Sequence, residues 1–208
     1  MTPHLRPVAG HALLVEYAEA ISDLAHAAVL DLDAALRAHP FDGLVETVPA
    51  FVNLLITFDP LRTDPEAIAR HLSTLPIQAQ SRAGQAHEVA ITYDGPDLAE
   101  VAARTGLTPP KVAALHAAAT YKVCLYGFAP GYAYLGGLPP ALRLDRKTAP
   151  LRDVPAGSVI IAGGQCLITT LTMPTGWWII GHSPVKVLTG DARRPFLFAV
   201  GDTVRFAP

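Results

Sequence analysis

Short apolar runs alternate with stretches of helical spacing through the first 75 residues. Ala12–Tyr17 (ALLVEY) has the length and composition of a strand, and Ala18–Ala38 then places Ile21, Leu24, Ala28, Leu32 and Leu36 three or four positions apart, the period of an amphipathic helix. Its charged members Glu19, Asp23, Asp31, Asp33 and Arg37 are expected on the solvated face. Asp31 and Asp33, two residues apart, do not face each other and are not a carboxylate pair. Beyond the turn formers His39-Pro40 and Asp42-Gly43, Leu44–Val48 and Phe51–Phe58 read as strands, with Pro49 confined to their junction. Asp64 ahead of Pro65 marks the start of a second helix reaching about Leu75. Strand, helix, strand, strand, helix predicts an antiparallel sheet with helices on one face.

The pattern then breaks. Residues 76–86 (PIQAQSRAGQA) lose all apolar periodicity, so the chain divides into a small N-terminal α/β sandwich-like domain, residues 1–80, and a second domain, residues 86–208. His87–Tyr93 alternates like a strand. Asp97 is placed to cap a short helix that carries Glu100 and stops at Gly106, and Thr108-Pro109 opens another that runs to about Ala119. Eleven of the 16 glycines lie beyond residue 120, among short apolar runs cut by turns, which predicts a β-barrel or sandwich and an α+β protein overall.

Composition narrows the function. With 50% hydrophobic and 16% charged residues the chain is a folding sequence, and a formal charge of -2 gives no general attraction for nucleic acid or anionic lipid. No signal-peptide pattern and no apolar run of membrane-spanning length is present, so the expected compartment is the cytoplasm. Cys124 and Cys166 are expected to be reduced and buried. The sequence carries no phosphate loop, no G-x-G-x-x-G, no C-x-x-C and no pair of histidines at ligand spacing, so neither a nucleotide nor a metal is expected on this chain.

The candidate chemistry lies in three glycine-punctuated segments. Gly127–Pro140 (GFAPGYAYLGGLPP) must be a shaped loop: Gly131, Gly136 and Gly137 permit positive φ or close backbone approach, while Phe128, Tyr132 and Tyr134 supply flat surface with phenol groups at its edge. Val154–Cys166 holds Gly163-Gly164 inside a strand pattern, a mark of a bulge or of a ligand's approach, followed by Gln165, whose carboxamide offers the donor and acceptor that a lactam would need. Thr175–Pro184 puts Trp177 and Trp178 on opposite faces of a strand, so one of them needs a cover. His182 is a candidate acid or base, Arg146 and Arg152 are candidate anion ligands, and a Cys166/His182 dyad is an open alternative for which the sequence shows no contact. No catalytic nucleophile is evident. All of this requires the three segments to converge on one concavity.

Taken together, GFAPGYAYLGGLP, VPAGSV.IAGGQ, P.GW..IG..P and the closing GDTVRF, with GHALLVEY, VPAFVNLLITFDP and ALHAAATY before them, resemble the allophanate hydrolase subunit 1 family. That family includes the B subunits of 5-oxoprolinase and the kinase A inhibitor of sporulating bacteria. The resemblance implies a cyclophilin-like β-barrel for the second domain. It also implies a non-autonomous subunit with two partners. One is a homologous barrel protein, of the type of allophanate hydrolase subunit 2 or the 5-oxoprolinase C subunit, and the other is a protein of the 5-oxoprolinase A-subunit type. Such a complex opens the 5-oxoproline lactam with ATP and a divalent metal, because a stable amide carbonyl oxygen must first be made a leaving group. Gly131–Gly137 and Gly163, Gly164 and Gln165 match the family motifs and would line the shared cleft. The alternative within the family is a module that inhibits a sensor histidine kinase through an exposed aromatic patch. The chain departs from the family at Leu151, Cys166-Leu167 and His182, where arginine, Thr-Gly and arginine are usual.

Overall fold

The computed structural model describes residues 2–77 and 84–208 and divides the chain into two compact units, residues 1–82 and 83–208. Six of the residues in the aperiodic segment 76–86, residues 78–83, lie outside the described residues.

In the first unit, strands β1 (His4–Val8), β2 (Ala12–Glu16), β3 (Leu44–Pro49) and β4 (Asn53–Phe58) form an antiparallel sheet in the order β1-β2-β4-β3. Helices α1 (Asp23–Ala38) and α2 (Pro65–Thr74) cover one face, packing Val29, Leu32, Leu36 and Ile68 onto Leu13, Val15, Leu54, Ile56 and Phe58. Asp64 caps α2 through Ala67 N as its position ahead of Pro65 predicts. Strand β1 escapes sequence reading because it is an edge strand with almost no buried residue. Helix α1 differs from expectation in its start and in its face. The Ser22 hydroxyl accepts from Ala25 N at 3.1 Å, so the helix begins at Asp23, and Ile21 and Leu24 are left exposed. Asp33, expected in solvent, is buried and accepts from Thr47 Oγ1 at 2.5 Å while pairing with Arg37.

The second unit is a seven-stranded curled sheet. Strands β5 (Ala86–Ala90), β6 (Tyr121–Tyr126), β7 (Ala133–Gly136), β9 (Ser158–Ala162), β10 (Gln165–Ile168), β12 (Trp178–His182) and β13 (Thr203–Ala207) lie in the order β12-β9-β10-β7-β6-β13-β5. Every neighbouring pair is antiparallel except β13 with β5. Strands β8 (Leu151–Val154) and β11 (Met173–Thr175) form a separate ribbon.

The two edges of the sheet meet. Thr92 and His182 exchange backbone hydrogen bonds at 2.8 and 2.9 Å, and Gly95 N and Asp97 N donate to the carbonyls of Ile180 and Ile179. This seam needs glycines on both sides for space: a Cβ on Gly181 would stand 2.2 Å from Thr92 O, and one on Gly95 2.3 Å from Ile179 O. The enclosed core holds Val123, Leu135, Ile161, Cys166, Trp178, Ile180 and Phe206, with α3 (Leu98–Thr105) and α4 (Pro109–Ala118) adding Val101 and Val112. Asp97 precedes α3 but its side chain does not cap it. The carboxylate accepts instead from Ile179 N at 2.7 Å and from Lys147 Nζ at 2.5 Å, both side chains of this ion pair being largely buried from water. A second apolar cluster, Tyr132, Val154, Ile160, Ala162, Leu167, Trp177 and Ile179, occupies the opposite face of the sheet, and it is here that the candidate chemistry gathers.

Candidate functional site

Strand register places the site. Leu167 of β10 pairs with Ile160 of β9, and both point away from the core that receives Cys166 and Ile161. They form the floor of a cavity of about 110 Å³. Tyr132, Tyr134, Pro174, Thr175, Gly176 and Trp177 complete its lining, with the exposed Phe128 and Arg146 at the rim. The volume is well below the roughly 300–1,000 Å³ of pockets that take drug-sized ligands, so it suits a small metabolite and not a nucleotide.

The expected cover for the second tryptophan is the chain itself. Trp178 points into the core and donates its indole N–H to Asp145 O at 2.8 Å, while Trp177 packs on the other face against Tyr134 edge-on at 5.8 Å. Trp177, Trp178 and Tyr132 are therefore all buried, and an exposed patch made of these rings does not exist.

Polar groups converge above the apolar floor. The Arg146 guanidinium lies 5.7 Å from the centre of the Trp177 ring, within cation–π range, and makes no ion pair among the described residues. Burial raises the pKa of Tyr132, with a smaller contribution from the neighbouring Tyr134 phenol. Burial also raises that of Tyr134, against an opposing pull from Arg146. Both phenols therefore stay protonated at neutral pH and can donate. The site presents one cation and two O–H donors to an anion, over walls that accept a compact apolar body.

The segment carrying Arg146 is fixed from beneath. Lys147 N donates to Gly176 O at 2.7 Å, its ammonium reaches the buried Asp97 carboxylate, and its charge lies 5.2 Å from the Trp178 ring centre. Neither Lys147 nor Asp97 carries a sequence signal of this role, since Asp97 stands where a helix cap is expected and the two are 50 residues apart.

The remaining predicted residues stand elsewhere. Gly131, at φ +74, is next to the cavity wall, where an added Cβ would meet Leu188 and Thr170. Gly163 and Gly164 form the tight turn of the β9–β10 hairpin and pack against the 138–144 segment through Leu138 N to Gly164 O and Gly163 N to Leu144 O, so they do not line the cavity. Gln165 pairs with Gly136 and Ala162 on the same face as Leu167, one two-residue step, about 7 Å, along the strand from the cavity floor. Arg152 is exposed on β8 in the ribbon and is not a lining residue. His182 sits at the seam, with Nδ1 2.8 Å from Asp94 Oδ1, and also lies outside the cavity because the edge pairing with Thr92 fixes it there. All three glycine-punctuated segments thus reach the hollow, through Phe128, Tyr132 and Tyr134, through Ile160, and through Thr175, Gly176 and Trp177, with Leu167, Pro174 and Arg146 completing the lining.

Cys166 does not meet His182. Its Sγ lies 3.3 Å from His116 Nε2 inside the barrel, and burial pushes the thiol pKa up, so it is neither accessible nor a ready nucleophile. Tyr93 O–H occupies the other ring nitrogen of His116 at 2.8 Å. Burial drives the His116 pKa down to about 3, and the imidazole is neutral.

Among the described residues no helix is long and apolar enough to cross a membrane, and no group of three or more His, Cys, Asp or Glu side chains is placed to hold a metal ion.

The chain matches the family model described as carboxyltransferase domain, subdomain C and D, over residues 3–198. It is 30% identical to a 5-oxoprolinase B subunit of Bacillus subtilis over 94% of this chain and 88% of that protein, and 34% identical to one of Escherichia coli O157:H7 over 84% and 82%. Among solved structures it superposes on TTHA0988 with a TM-score of 0.85 and 38% identity; the match covers 98% of this chain but only 40% of that one. Kluyveromyces lactis urea amidolyase, at 18% identity and a TM-score of 0.79, shares the fold over 99% of this chain and 15% of its own. A sheet closed by its own edges, a cavity on its outer face and these matches agree: the chain belongs to the family of the 5-oxoprolinase B subunits and allophanate hydrolase subunit 1.

Proposed function

We propose that the chain is a subunit of a 5-oxoprolinase and that its outer-face cavity takes 5-oxoproline. The observation that carries this reading is the convergence of the Arg146 guanidinium, free of ion pairs among the described residues, with the Tyr132 and Tyr134 phenols above the Ile160–Leu167 floor. Arg146 would pair with the substrate carboxylate, ideally through two parallel N–H bonds. A phenol O–H would donate to the lactam carbonyl or to the same carboxylate, and the ring methylenes would rest on Ile160, Leu167 and Trp177. These residues bind and orient; none of them is a nucleophile, and Cys166 is sealed in the core.

This cavity is too small for a nucleotide, and among the described residues no group of three or more His, Cys, Asp or Glu side chains is placed to hold a metal ion. Activation of the lactam carbonyl and attack by water therefore fall, in this reading, to two other proteins, the homologous barrel partner and the partner of the 5-oxoprolinase A-subunit type. The rival reading, inhibition of a histidine kinase, would use Trp177, Trp178 and Tyr132 as an interface, and all three are buried.

The test is reconstitution of the chain with these two partners and an assay of ATP-dependent ring opening. Arg146→Gln should raise KM for 5-oxoproline roughly ten- to a hundredfold, the range for one hydrogen bond to a charged group. An unchanged KM would remove the cavity from the reaction.

A further inference from the structure

Phe128 is the strained residue of the site. Its φ is +70, a region that a bulky side chain rarely adopts. Ala129 N donates to Gly127 O at 2.9 Å across it, which makes Phe128 the central residue of a three-residue turn of the rare, strained γ type. The glycine beside it, Gly127, could hold such a conformation without strain, yet it is not among the positive-φ residues; the phenylalanine is. Surrounding bonds over-determine the arrangement: Gly127 N to Tyr132 O, Tyr132 N to Ala129 O, and Thr170 Oγ1 to Pro130 O.

Packing does not account for this strain. The Phe128 ring is 75% exposed, whereas the other aromatic rings near it, Tyr132 and Trp177, are 5% and 6% exposed. It nevertheless lines the cavity mouth, with its centroid 5.8 Å from that of Tyr132 and on the same rim as Arg146. Strain that yields no burial within the chain points to a contact with something outside it.

We infer that Phe128 is a specificity-determining residue that closes over a bound ring acid, laying its face on the flat lactam amide while Arg146 holds the carboxylate. The inference rests on the reading of the cavity given above and extends it from an anion site to one that selects cyclic over open-chain carboxylates. An acyclic acid offers Arg146 the same charge but gives Phe128 no plane to cover.

Calorimetric titration of the full chain with L-5-oxoproline and with acetate, for wild type, Phe128→Gly, Phe128→Leu and Arg146→Gln, tests it, together with the melting temperature of each. Phe128→Gly relieves the backbone and Phe128→Leu keeps the strain but loses the flat face. Both should weaken 5-oxoproline roughly tenfold and leave acetate unchanged, and the melting temperature of Phe128→Gly should equal or exceed that of wild type by up to a few degrees. Unaltered 5-oxoproline affinity in both variants overturns the inference. So does an equal loss of acetate, or a melting temperature several degrees lower in Phe128→Gly, either of which makes the ring a packing element. Wild-type binding that Arg146→Gln abolishes and Phe128 variants do not affect leaves the cavity reading standing and this inference refuted; no wild-type binding refutes both.

Discussion

Lys147→Met isolates the device that fixes the cavity rim. The Lys147 ammonium is 2.5 Å from Asp97 Oδ2, and the two side chains are only 12% and 11% exposed. Methionine keeps an apolar stem against Trp178 but leaves the Asp97 carboxylate with the Ile179 N–H, at 2.7 Å, as its remaining partner. Removing one member of a buried pair costs about 3–5 kcal/mol because the other charge is left uncompensated. The retained stem and the surviving N–H bond place the loss at the lower end, about 3 kcal/mol. At roughly 3–4 °C per kcal/mol for a unit of this length, the second unit should melt about 10 °C lower. Adding Asp97→Asn removes the stranded charge while an amide oxygen still accepts from Ile179 N. The double variant should therefore recover more than half of the loss, a coupling that a double-mutant cycle in urea reads directly. A loss below about 1 kcal/mol in Lys147→Met, the level of a surface pair, would refute the argument that this bridge anchors the Arg146 segment.

Two further outcomes follow from the barrel. Gly181→Ala should part the seam, since its Cβ would stand 2.2 Å from Thr92 O, and should lower stability by about 1–3 kcal/mol in urea unfolding, whereas Gly10→Ala, with open space around it, should be near neutral. His116 stays neutral down to about pH 3 in the folded chain, while the unfolded chain takes up its proton near 6.5. Between those values the unfolded state binds one proton more, so this contribution is complete above pH 6.5 and is lost as pH falls, by up to about 1.4 kcal/mol per pH unit. His116→Gln should flatten that part of the stability profile, and an unchanged slope between pH 4 and 6 would contradict it.

Much of this architecture is legible in the residues because local rules and the global fold agree. Asp64-Pro65 announces α2, Gly106 ends α3 with φ +69, and short apolar runs mark β4 and β9. What is not legible depends on distant partners. Asp33 and Asp97 follow local patterns of a solvated face and a helix cap, yet each is taken by a group far along the chain, Thr47 and Lys147. The cavity shows the same division. Tyr132, Tyr134, Arg146 and Trp177 stand out by residue type, and the structure brings them together. Ile160 and Leu167 look like ordinary strand residues until the register assigns them to the outer face. Gly163 and Gly164 look like a ligand approach and turn out to shape a hairpin. Phe128 gives the least warning, because a left-handed phenylalanine is the opposite of what sequence propensity predicts beside a glycine.

The indole resonances of the two tryptophans offer the most direct test of the cavity. Nitrogen-15 NMR of the isolated chain titrated with 5-oxoproline should shift the Trp177 indole signal saturably. It should leave that of Trp178, held by Asp145 O on the core side, in place, and the Trp177 shift should vanish in Arg146→Gln. A Trp177 signal that never moves, or one that moves just as far without the arginine, would contradict the claim that this hollow binds a carboxylate.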